Sequence, residues 1–182
     1  MEFLNRNNTA LVLIDVQEKL FPYIAENELL LTNLIKMIRG AKVLDIPIIV
    51  TEQYRKGLGA TLPQLGTVLG EFNSLEKISF SCCGEESFTE KIAQLDRNQL
   101  LICGIETHIC VYQTCRELDN SGYYVHLLTD CVSSRDLKNK ALAINKLQTE
   151  HNIFLTSSEM ALFEILKSAG SDEFKHISKI VK

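Results

Sequence analysis

The chain has 182 residues, a formal net charge of −4 at pH 7, 46% hydrophobic residues and 23% charged residues. These values describe an ordinary globular chain, and a domain of this length buries about 70% of the surface of its unfolded chain. Because no long block of one charge sign is present, the sequence lacks the basic footprint of a nucleic-acid-binding protein. No apolar stretch approaches the about 20 residues of a membrane span, so we predict no membrane insertion.

The spacing of the cysteines and histidines fits neither a disulfide framework nor a zinc site. Disulfide frameworks belong to short secreted chains without a core, whereas Cys103 and Cys131 lie in or beside apolar runs. No Cys-x-x-Cys pair occurs, and the four histidines show no ligand spacing. Residues Met1–Asn8 are polar and lack the apolar core of a signal peptide. We therefore expect reduced thiols and a cytoplasmic protein.

Short apolar runs alternate with segments of helical spacing along the whole chain. The first run, Thr9–Val16, is continuously apolar up to Asp15, as a strand buried on both faces requires. This alternation predicts an α/β fold, with a parallel sheet covered by helices on both faces, in a single domain over residues 1–182. The predicted strands are Thr9–Val16, Ile46–Thr51, Leu75–Phe80, Gln99–Cys103, Tyr123–Thr129 and Ile153–Leu155.

The segments between these strands carry apolar residues at helical spacing or are rich in turn residues. Glu52–Gly70 contains four glycines and a proline, which predicts a loop, and loops of this length in compact domains are often functional. Asp130–Arg135 is predicted to be a polar loop, and the tail from Ser171 is weakly helical. The predicted helices are Glu28–Leu44, Glu85–Leu95, the segment from Glu106 to Ser121, Leu137–Glu150 and Met160–Lys167.

A sharp turn from strand to helix places Cys110 near the beginning of a helix. The apolar run that ends at Cys103 stops at Gly104, and helical spacing begins a few residues later. Unpaired backbone N–H groups and the helix dipole favour a thiolate in the first turn, lowering a cysteine pKa from about 8.5 toward neutrality. Cys110 is therefore a candidate nucleophile. The alternative is a small buried residue, since free cysteine is among the most buried residue types.

Two charged residues lie in other predicted strands. Asp15 lies at the carboxyl end of the first strand, where open α/β sheets bind ligands. Its alternative role is a cap of the next turn. Lys77 lies in the short third strand, where the alternative is a solvated edge-strand charge.

The three residues make chemical sense as a unit if their strand ends converge. Asp15 can take the Cys110 proton and later give it to a departing amine. Lys77 would offset the repulsion between thiolate and carboxylate, and backbone N–H groups near Cys110 would receive an oxyanion. His108 is an alternative base, but side chains at i and i+2 on a helix do not face each other. A redox pair of Cys110 and Cys115 would require the helix to unwind, because the two point about 140° apart.

Four short motifs occur in order along the chain and carry a family resemblance. The motifs are Asp15-Val16-Gln17 after an apolar strand, Lys77 with Ser-Phe-Ser close behind it, Gly104-Ile105-Glu106-Thr107-His108-Ile109-Cys110-Val111, and Thr129-Asp130-x-x-Ser-Ser-Arg135. Through them the chain resembles, from about Thr9 to Leu166, the isochorismatase-like cysteine hydrolases, and within these the isochorismatase domain-containing proteins. The branch is indicated by Thr51-Glu52-Gln53-Tyr54 and Gly57-Leu58-Gly59.

The resemblance implies a fold, a site and a reaction. The fold is a three-layer α/β/α arrangement around a six-stranded parallel sheet, of Rossmann-like type. The site is a triad of Asp15, Lys77 and Cys110, with a non-proline cis peptide at Ile105–Glu106 and an oxyanion site made by the backbone N–H groups of Glu106 and Cys110. Family hydrolases commonly open a carbon–nitrogen bond of a small amide or ureido compound through a thioester intermediate.

Two departures from other branches narrow this expectation. Nicotinamidases bind a metal through an aspartate and histidines after the second strand, but this chain has Thr51–Tyr54 there. We therefore expect no catalytic metal and no other cofactor. True isochorismatases, which hydrolyse a vinyl ether, lack the nucleophilic cysteine, so Cys110 argues against that reaction.

The remaining expectations concern the substrate and partners. The resemblance suggests a small-molecule substrate and a homo-oligomer, without nucleic acid or membrane. The alternative function is a catalytically silent binding or regulatory module. Phe21 and Tyr112 are equally interpretable as core aromatics, and Cys82 and Cys83 as packing residues. The candidate substrate contacts are Phe21, Gln53, Tyr54 and Tyr112.

Overall fold

Six parallel strands form one sheet in the computed structural model, which describes residues 3–182. The strands are β1 Thr9–Ile14, β2 Ile48–Gln53, β3 Ser74–Lys77, β4 Gln99–Ile105, β5 Tyr124–Ser133 and β6 Ile153–Thr156. Their order across the sheet is β3-β2-β1-β4-β5-β6, so the chain reverses direction across the sheet between β3 and β4. The predicted parallel α/β architecture is confirmed. Met1 and Glu2, which belong to the predicted domain of residues 1–182, lie outside the described residues.

Helices cover both faces of the sheet. The helices are α1 Asn27–Val43, α2 Arg55–Leu58, α3 Pro63–Leu69, α4 Glu86–Gln94, α5 Tyr112–Asn120, α6 Leu137–Leu147, α7 Ser158–Leu166 and α8 Asp172–Val181. A π-helical turn, Thr107–Val111, precedes α5. Helices α1, α3, α7 and α8 contribute to the hydrophobic core on one face of the sheet, and α4, α5 and α6 contribute to the core on the other face.

The central strand shows why a continuous apolar run is needed. Leu11 and Leu13 of β1 point into one layer of the core, whereas Val12 and Ile14 point into the other. All four are fully buried. Successive side chains of a strand alternate between faces, so a strand covered on both sides has no position for a solvated residue.

Several local predictions were wrong in their extent, and the third predicted strand ends at Lys77 instead of Phe80. The predicted loop Glu52–Gly70 contains two short helices, α2 and α3, since Pro63 begins α3 and Gly70 ends it with a φ of 78°. Strand β5 continues to Ser133, through most of the predicted polar loop, because Ser133 pairs with Ile105.

The tail from Ser171 is a full helix. Ser171 Oγ accepts a hydrogen bond from Phe174 N and caps α8. Ile177 of α8 is fully buried. None of the helices in the described part of the chain is long and apolar enough to cross a membrane.

Candidate active site

Asp15 follows β1 directly and contacts both strands on one side of it. Its φ of 53° is in the left-handed region, which Asp tolerates because its short polar side chain bonds locally. The side chain is fully buried. Oδ1 accepts a 2.7 Å hydrogen bond from Thr51 Oγ1 of β2, and Oδ2 lies 2.7 Å from Lys77 Nζ of β3. Asp15 therefore joins the ends of three strands.

Lys77 is the last residue of β3 and is buried, which rules out the solvated edge charge. Besides Asp15, three oxygens accept hydrogen bonds from its ammonium group: Gln53 Oε1 at 2.7 Å, Phe80 O at 2.9 Å and Ser79 O at 3.1 Å. Because an ammonium has three N–H donors, these three hydrogen bonds use all of them, and the Asp15 carboxylate is held beside the group by charge. Lys77 is therefore held as a fixed charge beside Asp15.

A carboxylate outside the site shapes the loop that surrounds Lys77. Glu85 Oε1 accepts hydrogen bonds from Ile78 N at 3.0 Å, Ser79 N at 3.1 Å and Ser79 Oγ at 2.7 Å. These bonds lower the pKa of Glu85. They also fold residues 78–80 back on Lys77, so that the carbonyls of Ser79 and Phe80 reach its ammonium. No pattern in the sequence pointed to this role of Glu85, which stands at the start of a predicted helix.

Cys110 lies in the π-helical turn, beside Asp15. The turn is wider than an α-helix, because Val111 N donates to Glu106 O five residues earlier at 3.3 Å. The thiol is nearly inaccessible, since only 6% of the residue is exposed. Burial, with the nearby Asp15 carboxylate, raises the pKa of Cys110 to about 12, against the opposing effect of Lys77. The direction of this shift is opposite to the lowered pKa expected for a cysteine at the start of a helix.

The protonation of the Asp15 carboxylate and that of the Cys110 thiol are coupled. Burial also raises the pKa of Asp15, and this shift is opposed first by Lys77 and then by Thr51 and Cys110. Two coupled acids titrate as a pair, so a proton that binds to one changes the proton affinity of the other. The arrangement can therefore move the Cys110 proton to Asp15 and back.

The chain between β4 and the π-helical turn is tied to the end of β5. The Ile105–Glu106 peptide bond is cis. The buried Glu106 carboxylate accepts hydrogen bonds from Arg135 N at 2.9 Å and Arg135 Nε at 3.0 Å. His108 Nδ1 lies 3.0 Å from Ser134 Oγ, so the structure pairs His108 with that hydroxyl and leaves Asp15 as the group beside the thiol.

The four predicted substrate contacts have different surroundings, and their roles stay predictions. Phe21 is buried in a 3-10 turn, and Tyr112 packs partly against the core with Lys146 Nζ 5.0 Å from its ring centre. Tyr54 is half exposed. Gln53 uses both ends of its amide within the protein, since Oε1 accepts from Lys77 and Nε2 donates to Ile78 O at 2.7 Å.

Two further residues complete the buried surroundings of Asp15. Thr51, one of the residues of the branch motif, is the hydroxyl donor to the carboxylate. Cys82 Sγ lies 3.8 Å from Thr51 Oγ1, and burial raises the pKa of Cys82 to about 12. Cys82 is fully buried, as predicted for a packing residue, and all six cysteines are free. Thr51 could have been found from its position at the end of the strand next to β1.

Glu52 lies near the end of β2, in the segment where the family resemblance led us to look for metal ligands. Its buried Oε1 accepts hydrogen bonds from Thr61 N and Thr61 Oγ1, both at 2.7 Å. Its Oε2 lies 3.3 Å from Arg55 Nε. Glu52 therefore binds the loop after β2 to the sheet. That the reaction needs no metal stays a prediction.

The order of the strands and the residues at their ends can be compared with known proteins. A family model for the isochorismatase domain matches residues 9–159. The chain belongs to the isochorismatase family. Isochorismatase domain-containing protein 2 of Xenopus laevis is 34% identical over 178 residues, covering 98% of this chain and 85% of the relative. A secreted isochorismatase effector of Phytophthora sojae is 38% identical over 152 residues, covering 80% and 71%.

Solved isochorismatase-like structures agree in fold. The structure of the MAR1 ribonuclease from Caenorhabditis elegans superposes with a TM-score of 0.92 at 32% identity, covering 99% of this chain and 92% of that one. The YcaC gene product of Escherichia coli, described as an octameric hydrolase of unknown specificity, superposes with a TM-score of 0.92 at 19% identity, covering 99% and 91%. Membership of the family supports a hydrolase.

Proposed function

We propose that this protein is a metal-independent cysteine hydrolase that opens a carbon–nitrogen bond of a small amide or ureido substrate. The observation that carries the proposal is the buried Asp15–Lys77 pair, 2.7 Å long, beside the thiol of Cys110. Taking two charges out of water costs several kcal/mol per ion, and a well-packed apolar pair would often be as stable. The Asp15–Lys77 pair lies beside Cys110, a potential nucleophile, so we infer that the pair serves catalysis and not only stability.

The first step is attack on the substrate carbonyl. Asp15 accepts the proton of the Cys110 thiol while Sγ bonds to the carbonyl carbon, giving a tetrahedral oxyanion. We assign the backbone N–H groups of Glu106 and Cys110 to this oxyanion. In support, the Glu106 N–H is not a donor in any hydrogen bond among residues 3–182.

The second step breaks the carbon–nitrogen bond and the third restores the enzyme. Asp15 gives its proton to the departing nitrogen, which leaves as an amine, and the acyl group stays on Cys110 as a thioester. Water then attacks the thioester, Asp15 takes a proton from it, and the acid leaves as the thiol is reprotonated. Lys77 is held in place by protein oxygens, and it stabilises the negative charge on Asp15 and Sγ.

The test is hydrolysis of a panel of small amides, ureides and esters by wild type and Cys110→Ala. Loss of all turnover is expected in Cys110→Ala but not in the matched Cys83→Ser, which changes a cysteine away from Asp15. Intact mass spectrometry of the quenched wild type should show an acyl adduct on Cys110. Turnover that survives unchanged in Cys110→Ala contradicts the proposal, and no turnover on any member favours the silent binding module.

The same panel should include RNA, because one structural neighbour is named as a ribonuclease. The net charge of −4 supplies no general attraction for a polyanion. A thiol beside a carboxylate also suits acyl transfer better than phosphodiester cleavage. We therefore expect no RNA cleavage above that of Cys110→Ala.

We also propose a single domain over residues 1–182, a homo-oligomer and a cytoplasmic location. The octameric neighbour supports self-association, as does the exposure of Ile78 and Phe80 beyond the edge strand β3. Six free cysteines are typical of a reducing compartment, although the Phytophthora relative is named as secreted. Sedimentation velocity tests the oligomeric state, and cell fractionation tests the location.

A further inference from the structure

The amide of Gln53 connects the catalytic lysine to the backbone of the neighbouring strand end. Its Oε1 lies 2.7 Å from Lys77 Nζ, and its Nε2 donates to Ile78 O at 2.7 Å. The ammonium can only donate and the carbonyl can only accept, so the two contacts fix which end of the amide faces Lys77. The side chain thus has one orientation and both of its polar ends are used.

A second glutamine fixes the backbone of the first. Gln53 N donates to Gln17 Oε1 at 2.8 Å. Gln17 Nε2 donates to Gln53 O at 3.0 Å and to Gly59 O at 2.7 Å. Gln17 is fully buried, and it joins the end of β1 to the end of β2 and to the loop that follows. Gln53 therefore presents its acceptor from a rigid position, as a supporting residue must.

We propose that Gln53 is a positioning residue for Lys77 and not a substrate contact. This inference rests on the proposed function of Lys77 in stabilising Asp15 and Cys110. Of the four oxygens around the ammonium, Ser79 O and Phe80 O come from the loop just after Lys77, and Asp15 is the reacting carboxylate. Gln53 supplies the only side-chain acceptor from β2 among these four. Without it, one N–H of a buried ammonium loses its partner and the group turns toward another.

The consequence reaches the nucleophile through charge. Lys77 opposes the rise in the pKa of Cys110, and Coulomb energy depends directly on distance. A lysine that leaves its position beside Asp15 therefore gives less stabilisation to a thiolate. A substrate contact would have a different signature, since it would change substrate affinity and leave the thiol itself unchanged.

The experiment is a double-mutant cycle with Gln53→Met and Lys77→Met, read out by alkylation of Cys110. Iodoacetamide is the probe, and peptide mass spectrometry gives the rate at Cys110 across a pH series, so the readout needs no turnover. Gln53→Met should slow alkylation about 10-fold at a fixed pH, because residues in direct contact are energetically coupled. The pH at which the rate rises should move upward. In the Lys77→Met background, Gln53→Met should change nothing further.

Two control variants test whether the effect is specific to the amide of Gln53. Gln64→Met changes an exposed glutamine of α3 in the same way and should leave alkylation unchanged. Gln53→Asn keeps the amide but shortens it, and it should behave as Gln53→Met does. The proposal is overturned by an equal effect of Gln53→Met in both backgrounds, by no effect in the wild-type background, or by failure of both Gln53 variants to fold. If coupling appears but Cys110→Ala still turns over substrate, the positioning role stands and the hydrolase proposal fails.

Discussion

Two lysine–carboxylate pairs of nearly equal length lie in opposite surroundings. Lys77 Nζ is 2.7 Å from Asp15 Oδ2, with side chains that are 2% and 0% exposed. Lys175 Nζ is 2.8 Å from Asp172 Oδ1, with side chains that are 73% and 87% exposed. Water screens the second pair, whereas the first is sustained by Thr51 and by three oxygens around the ammonium. Distance alone therefore says little about what an ion pair does.

The two ion pairs also differ in the parts of the protein that they connect. The exposed pair belongs to α8 alone, at positions i and i+3, and no other element depends on it. The buried pair joins β1 to β3 and lies against the thiol of Cys110. Changes to the two pairs should consequently differ in both size and kind.

The largest expected effect comes from breaking the buried pair. Lys77→Met should lower the free energy of unfolding by about 3–5 kcal/mol, because it leaves a buried carboxylate without its partner. It should also abolish hydrolysis. The matched change Lys175→Met should stay within about 0.5 kcal/mol of wild type. Urea denaturation measures both, and equal losses in the two variants would contradict the contrast.

A smaller loss should follow removal of one hydrogen bond to the buried carboxylate. Thr51→Val is nearly isosteric but leaves Asp15 Oδ1 without its hydroxyl donor, so unfolding should become easier by about 1–3 kcal/mol. The pKa of Asp15 should rise further, since Thr51 opposes its upward shift. Thr51→Ser, which keeps the hydroxyl, should recover most of the stability. A stable Thr51→Val would remove Thr51 from the support of the site.

A buried group that lacks an ion partner extends the contrast to pH. His126 is buried, its Nε2 has no hydrogen-bond partner among residues 3–182, and burial lowers its pKa below 6.5 against the effect of Glu164. As the pH falls below 6.5, His126 binds a proton in the unfolded chain. In the folded protein His126 stays neutral until the pH reaches its lower, folded-state pKa.

Between pH 6.5 and the folded-state pKa of His126, the free energy of unfolding should decrease as the pH falls. His126 contributes at most about 1.4 kcal/mol per pH unit to this decrease. His126→Phe should remove this part of the slope, and the exposed His151→Phe should not. Thermal unfolding across the pH series measures it. Identical slopes in wild type and His126→Phe would show that His126 does not titrate in this range.

The smallest effect concerns the exposed pair. The difference in stability between wild type and Lys175→Met should disappear in about 1 M salt, where charges are screened beyond about 3 Å. The loss caused by Lys77→Met should persist there, because water and ions do not reach that pair. A loss at Lys77 that vanishes with salt would indicate that the site is open to solvent.

The parts of the fold that depend on local sequence patterns could be predicted from the sequence. Thr9–Ile14 of β1 is apolar throughout because both faces of the sheet are covered, and this signal needs no knowledge of the partners. The end of β5 was predicted too early, because Asp130 interrupts the apolar run, whereas Val132 and Ser133 beyond it still pair with Gly104 and Ile105 of β4. Non-local pairing of that kind leaves no period in the sequence.

By itself, the sequence determined that Asp15, Lys77 and Cys110 lie at or near strand ends in a parallel sheet, since strand and helix signals are carried by neighbouring residues. Only the tertiary structure decided that Lys77 is buried and saturated by oxygens, that the Cys110 pKa is raised to about 12, and that Gln53 faces the ammonium. Burial and proton affinity depend on groups far apart in the chain, and those distances are set when the strands pack.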